Sequence, residues 1–222
     1  MDAIDAIKGR RSIRKFKEDE IPKEVLNGVL EAARWSPSWG NTQPWEVYVI
    51  TGKPLEQFRE ESVRAARAGA VSSVDVQMPQ SWPDQLKKRY GEMGDVVLTS
   101  LNIRRDDKEA RNRQSEFMTA LFGAPCLLVL CVPAEHSAIG YAMLDIGLLT
   151  QTICLAAHDL GIGSCIMAMA VIRPEILRKI AGVPDNKRII VGIAMGYPET
   201  DYPLNNFERK RADLNDFVKW VG

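Results

Sequence analysis

Apolar residues along this chain follow two different spacings. Between residues 22 and 33 they recur every three or four positions, which predicts an amphipathic helix. The runs 126–132 and 189–195 are apolar without interruption, which is typical of strands buried on both faces. Because segments of the two kinds alternate, the pattern predicts a mixed α and β fold around one sheet.

The remaining elements complete this picture. Helices are predicted at 2–9, 140–160, 174–181 and near 214–220, and strands at 45–50 and 164–167. Helix 140–160 is apolar nearly all round, so we expect it in the core or in a subunit interface. Residues 53–123 are rich in charge, with amphipathic helical spacing and little strand pattern. They predict a helical insertion or lid on a single domain spanning 1–222, with a mobile loop at 70–83.

Composition narrows the classes of function. Lys plus Arg and Asp plus Glu number 29 each, so the formal net charge is zero. A nucleic-acid binder normally carries a basic excess, so we expect no nucleic-acid partner. No run approaches the ~18 apolar residues that span a membrane, and the N-terminus lacks the apolar segment of a signal peptide. Four cysteines lack metal-site spacing, which predicts a cytoplasmic protein without a metal centre.

Three arginines and a serine lie within five residues at 10–14. Guanidinium groups match phosphate through paired, charge-assisted hydrogen bonds. In an extended segment Arg10, Ser12 and Arg14 would share one face and Arg11 the other. Taken alone, the run is explained more simply as a solvated basic turn. Arg209 and Arg211 repeat the spacing near the end of the chain, where a charged tail is the simpler explanation. On a neutral protein, however, the two pairs could converge on one phosphate.

The loop 36–45 packs Ser, Asn, Thr and Gln between two prolines and two tryptophans. Its amides could present paired donors and acceptors to a planar heteroaromatic ring, or the segment could be only a stiff turn. Asp145 on the apolar helix needs a partner, and we expect a structural role, either capping a neighbouring backbone group or pairing with an arginine. His158 on the same helix is expected to be a core residue. Gly161-Ile162-Gly163 does not continue into a dinucleotide-binding motif.

Together these segments resemble the FMN-dependent nitroreductase family. The resemblance rests on Arg10–Arg14, on the 36–45 loop, on the 145–165 helix and its glycines, on the 191–198 strand and on the tail arginines. It covers 1–52 and 124–222 well. It implies an α+β nitroreductase-like fold with a mixed or antiparallel sheet of about five strands, wrapped by helices, and an interlocked homodimer with FMN at the subunit interface.

The resemblance also implies the site. The cofactor, through its phosphate, would be bound by Arg10, Arg11, Ser12, Arg14, Arg209 and Arg211. The flavin ring would be contacted from the partner subunit by Pro37, Ser38, Trp39, Asn41 and Gln43. The backbone of Ile166, Met167 and Ala168 would face the ring. Trp39 and Trp82 would contact substrate. Asn112 and Gln114 are candidates for a further flavin contact.

The implied activity is NAD(P)H-dependent reduction of nitroaromatic, quinone or related electron-poor acceptors, by ping-pong hydride transfer through flavin N5 and without a catalytic side chain. Alternatives on the same fold are reductive dehalogenation, enone reduction or modification of the flavin. A non-catalytic module that binds a phosphate ligand is the alternative from another class.

Overall fold

The computed structural model describes residues 1–222. Its helices are α1 (Ala3–Gly9), α2 (Lys23–Ala33), α3 (Gly52–Arg67), α4 (Asp84–Ser100), α5 (Lys108–Thr119), α6 (Ile139–Asp159), α7 (Pro174–Ala181), α8 (Pro203–Asn206) and α9 (Leu214–Phe217). Its strands are β1 (Glu46–Thr51), β2 (Cys126–Pro133), β3 (Gly163–Met167) and β4 (Lys187–Gly196). Every strand predicted from the sequence is present within a few residues of its predicted bounds.

The strands form one sheet in the order β1-β2-β4-β3, and every neighbouring pair is antiparallel. The sheet therefore has four strands, where the resemblance implied about five. β3 lies at one edge. Beside it the N-terminal segment forms a single parallel bridge from Ser12 to Ser164, and Phe16 bridges to Pro198 just beyond β4. The arginine stretch thus runs along the edge of the sheet without becoming a strand of it.

Helices cover both faces of the sheet. Alternate residues of a strand point to opposite faces, so β2 divides its side chains between two cores. Leu127 and Val129 join one core, which α3 and α7 complete. Leu128 and Leu130 join the other, which α2 and α6 complete. All seven residues from Cys126 to Val132 have no exposed surface, which agrees with the prediction from their unbroken apolarity.

Helix α6 is only partly buried. Ala142, Ile146, Leu149 and Ile153 face the core. Tyr141, Met143, Leu144 and Leu148 are 38–58% exposed. By length and composition alone α6 is long and apolar enough to cross a membrane, with a mean hydropathy of 1.5 over 18 residues. The core helix of a globular protein satisfies the same criterion, and α6 packs against α2 and β3. Its exposed apolar face nevertheless lacks a cover within this chain.

The region 53–123 is helical, as the sequence predicts, but its parts differ in burial. Helix α3 contributes Leu55 and Phe58 to the core, whereas α4 has no buried residue. The segment at 70–83 is attached to the body at residues 70, 73 and 75, and the carbonyl of Ala70 accepts from Arg173 at 2.9 Å. The N–H of Ser73 donates to the carbonyl of Ile172 at 3.1 Å. Asp75 accepts from the backbone N–H of Ile189 and from the Arg178 guanidinium, both at 2.8 Å.

Candidate active site

The arginine stretch is fixed to the sheet through Ile13. Its N–H donates to the carbonyl of Ser164 at 2.9 Å, and its side chain is buried. Gly163 makes this approach possible, because a Cβ there would lie 2.7 Å from Ile13 Cγ1 and 2.9 Å from Pro198 Cγ. Gly163 therefore serves close packing of the arginine stretch.

A second attachment comes from the C-terminal part of the chain. Asn205, almost fully buried, accepts the N–H of Arg14 at 2.7 Å. Its amide donates to the carbonyls of Lys15 at 2.9 Å and Glu199 at 2.8 Å. One buried side chain thus satisfies three backbone groups, which fixes the segment that carries Arg14 in place.

Arg11 and Arg14 share one aromatic ring. Their guanidinium carbons lie 5.2 and 5.6 Å from the centroid of Phe207, within the range of cation–π attraction. Arg11 also donates to the carbonyl of Phe207. The expected alternation, with Arg14 opposite Arg11, is wrong for this pair, because the segment makes only isolated bridges and is not a regular strand.

The tail arginines do return to the N-terminal stretch. The guanidinium of Arg209 donates to the carbonyls of Arg10 and Lys8, at the end of α1. Arg211 is exposed and donates to the neighbouring carbonyl of Lys210 at 2.8 Å. Arg209 therefore lies beside Arg10, about 200 residues away in sequence. That the two arginine pairs converge on one phosphate stays a prediction.

Positive charge in this cluster is not compensated within the chain. None of the ion pairs includes Arg10, Arg11, Arg14, Arg209 or Arg211. Burial, then the charges of Arg209 and Arg14, lower the pKa of Arg11. The Nε of Arg11 is buried without a hydrogen-bond partner. Clustered cations that repel one another favour an anion between them, and guanidinium groups favour phosphate or carboxylate.

His158 lies near the C-terminal end of α6, beside the arginine cluster. A Cβ on Gly9 would come within 2.5 Å of its Nε2, so α1 reaches the ring only because residue 9 is glycine. Burial, then Arg10 and Arg209, lower the pKa of His158, while Asp159 raises it. His158 is half-buried and borders the arginine cluster, so the expectation that it is a core residue is wrong.

The loop 36–45 is a compact turn held by its own polar groups. The Oγ of Ser38 accepts the N–H of Gln43 at 2.9 Å, and the amide of Gln43 donates to Asn41. Gly40, Asn41 and Gln43 have φ values of 53°, 58° and 47°. Two non-glycine residues in the left-handed region are unfavourable, so the surrounding contacts must hold this conformation.

Asp145 connects that loop to α6. Its Oδ1 accepts the backbone N–H of Trp39 at 3.0 Å. The expectation that Asp145 caps a backbone group is therefore confirmed, although the group lies 106 residues away in sequence. The side chains of Pro37, Trp39, Asn41 and Gln43 are exposed, and that of Ser38 is partly exposed.

The end of β3 is open on one side. Ile166 and Ala168 are exposed and Met167 is buried, so Met167 could offer only its backbone to a ligand. These residues continue the edge strand that Ser12 bridges at Ser164. The arginine stretch and Ile166–Ala168 thus lie along the same edge of the sheet, as one binding site would require.

The loop 36–45 lies elsewhere in the same chain. Trp39 is held at Asp145, whereas the arginine cluster borders His158, thirteen residues further along α6. At 1.5 Å per residue the two points are about 20 Å apart. Trp82 is 40% exposed and stacks on Tyr90, with ring centroids 6.1 Å apart, whereas Trp39 contacts Tyr141. Helix α4, which carries Tyr90, packs against α8 beside Asn205.

The sequence pattern does not identify two supporting residues, Asn205 and Phe207. Neither stands in a recognisable motif, and both act on residues some 190 positions away. Asn112 is exposed and Gln114 partly exposed on α5, which packs near the 3₁₀ turn Ala168–Val171.

An antiparallel sheet covered by helices on both faces, with an uncompensated arginine cluster beside its edge strand β3, defines an α+β fold with a candidate anion-binding site. The chain belongs to the Nitroreductase family, whose profile matches residues 7–197. It is 31% identical to the nitroreductase NfnB of Mycolicibacterium smegmatis over 217 residues, 96% of this chain and 90% of that protein. It is 29% identical to a nitrobenzene nitroreductase of Ectopseudomonas oleovorans, covering 98% and 96% of the two chains.

Solved structures support the same family assignment. The crystal structure of the FMN-dependent nitroreductase NfnB from Mycobacterium smegmatis in complex with NADPH superposes with a TM-score of 0.93 at 29% identity, covering 99% of this chain and 98% of that one. The FMN and NADPH-dependent NfnB from sphigopyxis sp. strain HMH gives 0.93 at 27% identity, over the full length of both chains. The nitroreductase-like α+β fold expected from the sequence is confirmed.

Proposed function

We propose that this protein is an FMN-dependent oxidoreductase that uses NAD(P)H to reduce nitroaromatic and related electron-poor acceptors. The observation that carries the proposal is the arginine cluster at the edge of β3, whose charge no carboxylate of the chain compensates. A phosphate monoester such as that of FMN supplies the missing charge. Relatives described as nitroreductases dependent on FMN and NADPH support the choice of ligand and donor.

In this proposal the chain's own residues bind and orient the cofactor. Arg10, Ser12 and Arg14 hold the phosphate and reach the near edge of the ring. Arg11 keeps Phe207 against the cluster, and Arg209 fixes the end of α1. Arg211, which is exposed, is free to complete the phosphate contacts. Ile166 and Ala168 offer an open face next to this position.

We propose that the site is completed by a second copy of the chain. The loop 36–45 lies about 20 Å along α6 from the arginine cluster of its own chain, so one chain does not surround a single cofactor with both. The exposed apolar face of α6 supplies a surface that a partner would cover. In a homodimer, Pro37, Ser38, Trp39, Asn41 and Gln43 would then contact the flavin bound by the partner.

The residues named above would hold FMN, which would supply the hydride-transfer chemistry at N5, with NAD(P)H as the donor and the acceptor following in a ping-pong sequence. The residues of the chain bind and orient the reactants, and Arg14 would stabilise negative charge at the near edge of the ring. The lid role of 53–123 and the contact of Trp82 with substrate belong to this proposal. So does a cytoplasmic location, which the four free, buried cysteines support.

The absorbance spectrum of the purified protein tests the proposal. We expect flavin bands, or their appearance after FMN is added and excess removed. Under anaerobic conditions NADPH or NADH should bleach them, and nitrobenzene or a quinone should restore them. Protein that neither carries nor binds FMN would refute the proposal. If the reduced flavin is reoxidised only by halogenated aromatics or by enones, the acceptors belong to those classes and not to the nitroaromatics.

A further inference from the structure

Helix α6 holds Trp39 at two points. Asp145 accepts its backbone N–H at 3.0 Å. Tyr141 lies one turn earlier, and its ring centroid is 4.3 Å from that of the indole, at an interplanar angle of 47°. Residues four apart share one face of a helix. The backbone and the side chain of one loop residue are therefore fixed by adjacent side chains of one rigid element.

Asp145 has no other partner in the chain. It is 3% exposed, it belongs to no ion pair, and the bond from Trp39 is its one hydrogen bond. A buried carboxylate is costly unless it is hydrogen-bonded. The N–H of Trp39 is the group that offsets this cost, so loop and helix constrain each other.

The aromatic pair is held in place but open to its surroundings. Trp39 is 62% exposed and Tyr141 49%. Most of the surface of Trp39 is left uncovered by its own chain, and in the proposed homodimer this surface lies toward the flavin bound by the partner. The following residues, Gly40, Asn41 and Gln43, are in the left-handed region, so the loop does not relax into this shape by itself.

We propose that Asp145 and Tyr141 are positioning residues that fix the indole of Trp39 as a wall of the acceptor slot. This inference rests on the proposed function, in which the loop 36–45 borders the flavin. A fixed indole admits thin planar acceptors and excludes those with groups that project from the ring plane. Tyr141 thereby becomes a determinant of acceptor shape without contacting the reacting atoms.

Hydrogen exchange measures the two-point contact without any cofactor. In Tyr141→Ala and Asp145→Ala, the Trp39 amide and its neighbours should exchange about two- to tenfold faster than in the wild-type chain. Tyr141→Phe keeps the aromatic ring and Asp145→Asn keeps a carbonyl acceptor, so both should retain the wild-type exchange rate. Unchanged exchange in both alanine variants overturns the proposal. Tyr141 lies outside the buried core of its own chain, so its variants test the contact even if Asp145→Ala does not fold.

Acceptor selectivity measures the consequence. With the FMN-loaded protein, kcat/KM is compared for nitrobenzene and for nitrobenzene bearing a tert-butyl group. Tyr141→Ala should raise the ratio of bulky to slim acceptor about two- to tenfold, mainly through KM of the bulky one, and Tyr141→Phe should restore it. If the Trp39 amide exchanges faster in Tyr141→Ala but the ratio of kcat/KM values is unchanged, Tyr141 does not determine acceptor selectivity. A wild-type protein that binds no flavin refutes the proposed function instead, and the exchange measurement still decides whether α6 holds Trp39.

Discussion

Replacing Gly163 by alanine tests whether the edge of β3 positions the arginine stretch. The new Cβ would lie 2.7 Å from Ile13 Cγ1 and 2.9 Å from Pro198 Cγ. Carbon atoms pack best at about 3.5–4.0 Å, so Ile13 would have to retreat by roughly 1 Å. Overpacking of this kind typically costs about 1–3 kcal/mol. Because Ile13 lies between Ser12 and Arg14, its movement displaces the proposed phosphate ligands.

We therefore expect two effects of Gly163→Ala. Urea denaturation of the apoprotein should show a free energy of unfolding lower by about 1–3 kcal/mol. Fluorescence titration should show FMN binding weakened by about tenfold or more, since one lost charged contact costs ~1.5–3 kcal/mol. Gly91→Ala on α4 is the matched control, because a Cβ there meets no atom within 4 Å. A Gly163→Ala protein with the stability and FMN affinity of the wild type would show that this contact does not position the arginines.

Three further predictions follow from the site. Arg10→Ala should weaken FMN binding roughly ten- to a hundredfold, whereas exposed Lys210→Ala should change it little in the same titration; equal effects would argue against a specific clamp. The pKa of His158 is lowered in the folded chain, so the unfolded chain binds its proton more readily. The melting temperature of the apoprotein should thus fall as pH drops below about 6.5, and His158→Gln should lessen that fall; identical pH profiles would contradict it. Asn205→Ala, which removes three hydrogen bonds, should lower the free energy of unfolding by about 2–4 kcal/mol in urea denaturation; a loss below about 0.5 kcal/mol would contradict the anchoring role.

The fold was largely accessible from apolar patterning. The unbroken runs in β2 and β4 reported strands buried on both faces, because two separate cores meet there. Helix α3 was less predictable. Its charged sequence suggested an insertion, but two residues, Leu55 and Phe58, suffice to anchor it in the core. The pattern of apolar and polar residues gives the period of a helix, but it does not show how many of the apolar residues are buried in a core.

The site was accessible only in part. Local density of arginine marked residues 10–14, and the repeated spacing marked Arg209. Asn205, Phe207 and the bond from Trp39 to Asp145 depend on contacts 106 to 196 positions apart. Such contacts leave no periodic signal, because only one residue of each segment takes part. The same holds for Asp75, which attaches the predicted mobile loop at 70–83 to β4.

The number of residues in α6 fixes the distance between the loop 36–45 and the arginine cluster. The helix carries Asp145, which holds the loop, and thirteen residues later His158, which borders the arginines. One inserted residue between them would advance the far end by about 1.5 Å and turn it by about 100° about the helix axis. In a twofold assembly that error would be repeated in both copies. The middle of α6 should thus accept changes of side chain far more readily than any change in the number of its residues.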